Sequence, residues 1–474
     1  MIKKLTKKTQ VENDIIEYDI VIIGGGGGAN IARAARLKGL KVAIVEKERL
    51  GGTCLNRGCI PSKMMIHPAD LITELKDLKK FNITIKPDFK VNFKNLTQRI
   101  TSSVHATSDK LAKAYKKDYE NLDFYNKVGT FISDRVIQVG KKKITGKKII
   151  IAVGARPGVP PIPGLIDTPY WTSTEALIAE KLPKKLIVIG GGYIAVELGH
   201  AYSGLGADTH FLVRGDFVAR EDKEIITEFS RIFRENHKIH DISNILNVDY
   251  INREFVVKYV DQNNKKRTIK GENLLVATGV KPNGDLLGLE NTKIETNKFG
   301  YIEVDKYLET KVKGVYAIGD CIGKYLFRHG VNFETEYLTP ILIDRKKKTP
   351  IKYAPMPHAI FSGPQVAGVG LTEEECITQK IPYIIGKNDY KDSAMGDARR
   401  SDYGFAKLIF HKKTKKLIGA HIIGQESSNM IHMLIYAITH NGTLDDLLKM
   451  IYIHPALPEI VRNACRKARA EFEK

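Results

Sequence analysis

The feature that most constrains the fold of this 474-residue chain is a repeated pattern of apolar strand, glycine turn and helix. In the first copy the apolar run Tyr18–Ile23 precedes Gly24–Gly28, and in the second Lys185–Ile189 precedes Gly190–Gly192. Continuous apolar runs of this kind are typical of buried parallel strands. A glycine turn that opens a helix lets the backbone approach a pyrophosphate. The pattern predicts an α/β fold with two Rossmann-like dinucleotide-binding domains.

The first glycine turn carries the residues of a dinucleotide fingerprint. Gly24, Gly26 and Ala29 stand at its three positions, and a second apolar strand, KVAIVE, follows the helix. Glu46 closes that strand, where a carboxylate can bind a ribose hydroxyl. Strand, turn, helix and acid together make this match much more specific than a glycine pattern alone.

The second turn has the same spacing, but different residues follow at the position that distinguishes NAD from NADP. Its fingerprint residues are Gly190, Gly192 and Ala195, and the next strand ends at Val213 without an acidic residue. Arg214 and Arg220 follow instead, and a cation suits the 2′-phosphate of NADP. We therefore predict a preference for NADP(H) over NAD(H). The alternative is that a basic protein places these arginines in a surface loop by chance.

Residues 51–63, GGTCLNRGCIPSK, contain two cysteines separated by four residues. Cys54 and Cys59 can bridge only if their Cα atoms come within about 7 Å. So short a disulfide loop restricts the unfolded chain little, which favours redox chemistry over stabilisation. Two unrelated thiols or half of a metal site are the alternatives. A metal site usually requires CxxC or nearby histidines, and only His67 is close.

The string CLNRGCIPSK, together with both glycine turns, resembles the class I pyridine nucleotide–disulfide oxidoreductases. This family includes dihydrolipoamide dehydrogenase and the glutathione, mycothione and mercuric reductases. The resemblance extends from about Tyr18 to the C-terminus, and the ending CIPSK is most similar to dihydrolipoamide dehydrogenase. It implies FAD in the first nucleotide domain, NAD(P) in the second, and a redox-active disulfide between Cys54 and Cys59.

The resemblance also implies further nucleotide-binding residues. NKVGTF resembles the segment that meets the FAD adenine, and VYAIGDCIG resembles the strand whose aspartate binds the ribityl chain. A helix bearing His329 and Glu334 is expected beneath the flavin, and Tyr193 is expected to cover the flavin until nicotinamide enters. The remaining predicted cofactor-binding residues are Thr53, Gly129, Thr130, Gly154, Gly319 and Asp320 for FAD, and Gly279 for the nicotinamide nucleotide.

A histidine and a glutamate near the C-terminus form the second chemical motif, HPALPE. Histidine can exchange protons near neutral pH, and a carboxylate on its other nitrogen fixes the tautomer. The resemblance implies that His454, oriented by Glu459, acts as the acid–base group in the partner subunit's disulfide site. It also implies that Lys63 pairs with Glu197 beside the flavin. By the same analogy Cys54 attacks the substrate and Cys59 contacts the flavin.

The order of the motifs predicts the domain organisation. We expect a disordered tail at 1–14, an FAD-binding domain at 15–160 that continues at 286–351, and an NAD(P)-binding domain at 161–285. Alternating strands followed by helices at 352–474 resemble the family's α+β dimerisation domain, so a homodimer is expected.

Composition limits the other possibilities. The formal charge of +21 could attract nucleic acid or an anionic membrane, but the excess lysines form short runs without interleaved aromatic residues. We therefore expect neither partner. No apolar run approaches the roughly 20 residues of a membrane span, and the basic N-terminus has no apolar core typical of a secretory signal. Five cysteines do not form a disulfide framework, which favours a reducing, cytoplasmic location. Cys321, Cys376 and Cys465 are interpreted as spectators.

Two activities remain open from the sequence, and we expect dihydrolipoamide dehydrogenase activity ahead of the alternative, an NADPH-dependent reductase of a small disulfide. CIPSK favours dihydrolipoamide dehydrogenase activity, the exchange of a dithiol and a disulfide with lipoamide. Arg214, Arg220 and the form HPALPE favour an NADPH-dependent reductase of a small disulfide such as mycothione or glutathione. Only Cys465 lies near the end, which argues against the mercuric reductase branch with its C-terminal cysteine pair. A flavoprotein without turnover is disfavoured because the cysteine pair and the His454–Glu459 motif are both intact.

Overall fold

A computed structural model describes residues 15–85, 90–117, 120–344 and 346–474, so the predicted tail at 1–14 lies outside the described residues. The strands are β1 (Ile15–Ile23), β2 (Val42–Val45), β3 (Leu122–Tyr125), β4 (Gly129–Ser133), β5 (Val136–Val139), β6 (Lys142–Ile151), β7 (Ala155–Pro157), β8 (Lys185–Ile189), β9 (Asp208–Val213), β10 (Lys238–Ile251), β11 (Glu254–Asp261), β12 (Lys266–Gly271), β13 (Asn273–Val276), β14 (Val280–Pro282), β15 (Val315–Ala317), β16 (His358–Ile360), β17 (Val366–Gly370), β18 (Tyr383–Asp389), β19 (Phe405–His411) and β20 (Leu417–Ile423). The helices are α1 (Ala29–Leu37), α2 (Gly52–Arg57), α3 (Cys59–Asp77), α4 (Phe93–Lys117), α5 (Ser173–Ile178), α6 (Tyr193–Gly204), α7 (Lys223–Asn236), α8 (Arg328–Leu342), α9 (Glu373–Thr378), α10 (Ala394–Ala398), α11 (Ser427–Thr439), α12 (Leu444–Lys449) and α13 (Glu459–Phe472).

The first of two compact units combines residues 15–56 with the described parts of 104–156 and 281–351. Its sheet has the order β3-β2-β1-β6-β5-β4, with β15 also paired to β6. β1 pairs in parallel with β2 and β6, and β15 extends the parallel part from the far end of the unit's sequence. The strand ends of β1, β6 and β15 therefore meet at one edge, where ligands bind in such sheets.

The second unit comprises 57–103, 157–280 and 352–474, and contains two larger sheets. One has the order β12-β11-β10-β9-β8-β13, with β8, β9, β10 and β13 parallel. The other is fully antiparallel, in the order β16-β17-β20-β19-β18. Apolar side chains of α11 and α13 pack on this second sheet. Among the helices of the described ranges, none is long and apolar enough to cross a membrane.

The α/β class predicted from the two strand–turn–helix patterns is confirmed. The predicted strand Lys185–Ile189 is β8, and the run at 18–23 forms the end of the longer β1. Both runs are almost wholly buried, as parallel strands covered on two faces should be. The predicted boundaries between the nucleotide and dimerisation domains stay a prediction.

The cysteine segment is helical, but it is not one helix. α2 ends at Arg57 and α3 begins at Cys59, with Gly58 at φ −142° and ψ −115° between them. α3 then packs closely on α6, because a Cβ added at Gly204 would lie 2.8 Å from Cβ of Ala69. A large residue at either position would separate the two helices.

Candidate active site and nucleotide sites

The first glycine turn forms a narrow backbone cradle at the end of β1. Gly24 has a φ of +109°, and a Cβ added there would overlap the carbonyl oxygen of Ala152. Gly52, at the start of α2, approaches so closely that an added Cβ would lie 2.8 Å from Cα of Gly26. The turn therefore leaves the backbone uncovered by side chains at the N-terminus of α1, which is what a bound pyrophosphate requires.

The other residues predicted to bind FAD gather around this turn. Glu46 accepts hydrogen bonds from the backbone N–H groups of Gly25 (2.7 Å) and Glu48 (2.8 Å), which orient its carboxylate. Gly129 packs against Val45, and Thr130 follows it in β4. Thr53 lies exposed in α2, directly after Gly52.

Helix α8 packs against both the first glycine turn and the turn at Gly319. A Cβ added at Gly27 or at Gly319 would meet the side chain of Val331. The fully buried Glu334 accepts the Gly319 N–H at 2.6 Å. Glu334 is therefore a structural anchor for the turn that carries Asp320.

Asp320 is a half-buried residue whose carboxyl group forms no hydrogen bond with the described residues. Burial raises its pKa to about 6. Its neighbour Cys321 is fully buried, and the Gly154 backbone interacts with its thiol, so Gly154 lies close by. A half-buried carboxylate without a hydrogen bond to the described residues, beside a glycine cradle, fits a ligand with hydroxyl donors, such as the ribityl chain of FAD. The residues of the first unit thus fit the flavin nucleotide.

The two cysteines lie in successive helices of the segment. Cys54 lies within α2 and is partly exposed, whereas Cys59 is the first residue of α3 and is exposed. Both carry thiols in the structure.

One turn beyond Cys59, Lys63 is held by Glu197 of α6. Lys63 Nζ lies 2.6 Å from Glu197 Oε2, and Glu197 Oε1 accepts the backbone N–H of Phe361 at 3.0 Å. The Phe361 ring also lies under the Lys63 ammonium group, 4.5 Å from its centroid. Both carboxylate oxygens and the ammonium group are therefore used, and the structure brings this predicted pair together.

The second glycine turn closes against two neighbouring strand ends. Gly190 has a φ of +130°, and a Cβ added there would overlap the carbonyl oxygen of Ala277 and approach Ala195. Gly192 has no heavy atom within 4 Å of an added Cβ, so the turn is open on that side. Gly279 has a φ of +121°, and its carbonyl oxygen accepts a hydrogen bond from the Gly158 N–H.

The loop after β9 is fastened to this turn. Val218 is buried, has a φ of +47°, and donates its N–H to the Gly191 carbonyl at 2.9 Å. A β-branched residue rarely adopts a positive φ, so the surrounding packing must hold this conformation. Arg214 and Arg220 lie exposed on either side of Val218, and neither forms an ion pair with a described residue.

The C-terminal motif forms a hydrogen-bonded pair. His454 Nδ1 lies 3.0 Å from Glu459 Oε2, and Arg462 binds the other oxygen at 2.7 Å. Burial would raise the pKa of Glu459, but the Ala456 N–H, His454 and Arg462 together lower it. The carboxylate therefore stays ionised and orients Nδ1, while 69% of the His454 side chain is exposed.

Two family models match this architecture. The pyridine nucleotide-disulphide oxidoreductase model covers residues 18–337, and the model of that family's dimerisation domain covers 356–465. The chain belongs to this family. It is therefore an oxidoreductase of an FAD-dependent, NAD(P)-binding flavoprotein family, with a C-terminal dimerisation domain, and the predicted family is confirmed.

Relatives within the family have different activities in their names. A mycothione reductase of Mycobacterium tuberculosis is 31% identical over 94% of this chain and 98% of its own length. A dihydrolipoyl dehydrogenase of Bacillus subtilis is 31% identical over 96% and 97%. Among solved structures, the HOCl-induced flavoprotein disulfide reductase RclA of Escherichia coli has a TM-score of 0.84 at 26% identity, covering 95% of this chain and 99% of that one.

Sequence reasoning missed several partners of the predicted family residues. Tyr193 donates its hydroxyl hydrogen bond to Glu221, whose other oxygen lies 2.7 Å from Nε2 of His358. His200 Nε2 lies 2.7 Å from Asp70 Oδ1. A signal was present, because Tyr193, Glu197 and His200 are polar positions spaced along one side of an otherwise apolar α6.

Proposed function

We propose that this flavoprotein uses NADPH to reduce a small disulfide of the mycothione or glutathione type. The observation that carries the proposal is the loop after β9. It presents Arg214 and Arg220 beside the second glycine turn, where a 2′-phosphate would lie, and Val218 fastens it to Gly191. The first acidic residue after β9, Asp216, lies three residues beyond the end of the strand and is exposed.

The thiol chemistry belongs to the two cysteines. FAD, when bound, supplies the route by which an electron pair from NADPH reaches the Cys54–Cys59 disulfide. The Cys54 thiolate then attacks one sulfur of the substrate disulfide and forms a mixed disulfide, releasing the first thiol product. Cys59 next attacks the sulfur of Cys54, which re-forms the protein disulfide and releases the second thiol.

His454 serves as the acid and base in this exchange. Glu459 occupies Nδ1, which leaves Nε2 available to take the proton of Cys54 and deliver it to the departing thiolate. We propose that this histidine acts on the cysteines of a partner subunit in a homodimer. The exposed side chain of His454 and the dimerisation domain support that arrangement.

A second candidate is dihydrolipoyl dehydrogenase activity, which the CIPSK ending favours. The dihydrolipoyl dehydrogenases among the relatives are similar over almost the same share of the chain as the mycothione reductase. This activity would use the same cysteines and His454 in the opposite direction, with a dithiol as the electron donor.

A substrate panel on the purified FAD-loaded enzyme separates the two. We expect kcat/KM for NADPH to exceed that for NADH at least tenfold, with mycothiol or glutathione disulfide as acceptor. The double variant Arg214→Met/Arg220→Met should lose that preference while keeping its NADH rate, since only the 2′-phosphate distinguishes the nucleotides. A tenfold preference for NADH, or turnover confined to dihydrolipoamide and NAD⁺, would contradict the proposal.

A further inference from the structure

Glu221 stands between the residue proposed to read the 2′-phosphate and the tyrosine at the start of α6. It directly follows Arg220 in the chain, and its side chain is fully buried although Arg220 is exposed. One carboxylate oxygen accepts the Tyr193 hydroxyl and the other faces His358 Nε2 at 2.7 Å. A buried carboxylate with both oxygens bound is held much more tightly than a surface side chain.

The backbone of Arg220 is consequently anchored on both sides. Before it, Val218 is buried and bonded to Gly191, and the Glu221 N–H closes a turn onto the Val218 carbonyl at 3.0 Å. After it, the fully buried Asp222 caps α7 and accepts the Glu373 N–H and the Lys407 ammonium group. Between these two anchors the Arg220 side chain lies exposed to solvent.

The hydroxyl of Tyr193 is a permanent donor in this arrangement. Burial, followed by the negative charge of Glu221, raises the pKa of Tyr193, so it stays protonated across the physiological range. The charges of Arg220 and Glu197 also act on this tyrosine. The ring of Tyr193 also lies 6.3 Å from that of His358, so residues from α6, the loop and β16 meet at one carboxylate.

We propose that Glu221 is a positioning residue that couples binding of the NADPH 2′-phosphate by Arg220 to the placement of Tyr193. Because the anchor fixes the Arg220 backbone, its guanidinium group is pre-organised for the phosphate and loses less freedom on binding. Any shift of the loop on binding is passed to the tyrosine through a single carboxylate. This inference rests on the proposed use of NADPH.

The test compares Glu221→Gln with Tyr193→Phe, which removes only the hydroxyl. Glu221→Gln should raise KM for NADPH about tenfold, the loss expected for a hydrogen bond to a charged group, while KM for NADH changes less than about twofold. Tyr193→Phe should raise KM for NADPH by a clearly larger factor than KM for NADH. Glu228→Gln is the matched control, because this α7 carboxylate binds Arg231 and does not contact Tyr193. It should change neither constant.

A double-mutant cycle with Arg220→Met decides the coupling. In that background Glu221→Gln should have less than about a twofold further effect on kcat/KM for NADPH, because the group that it positions is gone. The coupling would be overturned if Glu221→Gln lowered kcat/KM for NADPH by the same factor with and without Arg220→Met. Equal losses with NADPH and NADH in Glu221→Gln and Tyr193→Phe would overturn it as well, and would leave a structural role only. Failure of the proposed function is seen separately, as a preference of the unmodified enzyme for NADH.

Discussion

Gly24 and Gly39 both have a positive φ, but their surroundings differ. A Cβ at Gly24 would overlap the Ala152 carbonyl oxygen, whereas one at Gly39 would have no heavy atom within 4 Å. We expect Gly39→Ala to lower the free energy of unfolding by about 1 kcal/mol, the cost of the left-handed conformation. The Gly39→Ala protein should still bind flavin. Gly24→Ala should lose bound flavin, measured by absorbance after gel filtration. Equal flavin content in the two variants would contradict the assignment of the cradle.

Asp320 gives a prediction that depends on pH. Its pKa is about 6 in the folded protein against 3.8 for the free side chain, because burial disfavours the charge. The folded state therefore holds the proton more tightly, and stability falls as pH rises from 3.8 through about 6. At pH 8 the penalty in flavin-free protein is at most about 3 kcal/mol.

The variant Asp320→Asn should remove this penalty. Urea unfolding of the flavin-free protein at pH 8 should show it to be more stable than the unmodified protein, with little difference at pH 4. The same variant should bind FAD more weakly, since an amide is a weaker acceptor for a hydroxyl group. A stability difference that does not change with pH would contradict burial as the cause.

At the scale of elements, Lys407 joins β19 to two helix N-termini. The side chain is fully buried and lies 3.0 Å from Asp222, 2.9 Å from Glu224 and 2.6 Å from Glu373. Burial would lower the pKa of Lys407, but the three carboxylates raise it, so the charge is retained. The cluster links α7, α9 and the C-terminal sheet within the second unit.

Replacing this lysine should therefore be costly. Lys407→Met leaves the buried Asp222 without its cation, and we expect a loss of about 3–5 kcal/mol in the free energy of unfolding. Lys467→Met is the control, because Lys467 is half exposed and its ammonium group lies as far as 3.9 Å from the Asp392 carboxylate. This variant should lower the free energy of unfolding by less than about 1 kcal/mol. Denaturant titrations of both variants measure the difference, and similar values would refute the role of burial.

At the scale of the whole molecule, the residues before His454 indicate an interface. Ile451 and Ile453 are 98% and 80% exposed, an unusual state for isoleucine beside a candidate catalytic histidine. In a symmetric dimer a second copy would cover these side chains and receive His454.

Two inactive variants test this arrangement. Cys54→Ser and His454→Gln should each be nearly inactive as homodimers, whereas co-expression should restore about a quarter of the activity. Half of the random dimers would be mixed, and one of their two sites would combine an intact cysteine pair with an intact histidine. Activity measured on tagged mixed dimers checks the value. Inactive mixed dimers would show that both residues serve the same chain's site.

The sequence by itself determined the α/β class, the family and the two glycine turns. Strand periodicity and glycine spacing are local properties, and Gly24, Gly190 and the Cys54–Cys59 string carry them within a few residues. The pairing of Lys63 with Glu197 was expected only through the resemblance, because no local pattern connects positions so far apart in the chain.

Only the tertiary structure decided which side chains form hydrogen bonds and ion pairs with the residues of those motifs. Glu221 and His358 reach Tyr193 from a loop and from a different sheet, and Lys407 gathers acids from two helices. Such contacts depend on long-range packing, since burial selects the partner of a polar side chain regardless of its distance along the chain. The same packing holds Val218 in a conformation that its own side chain disfavours, and so fastens the loop of Arg214 and Arg220 to the second glycine turn.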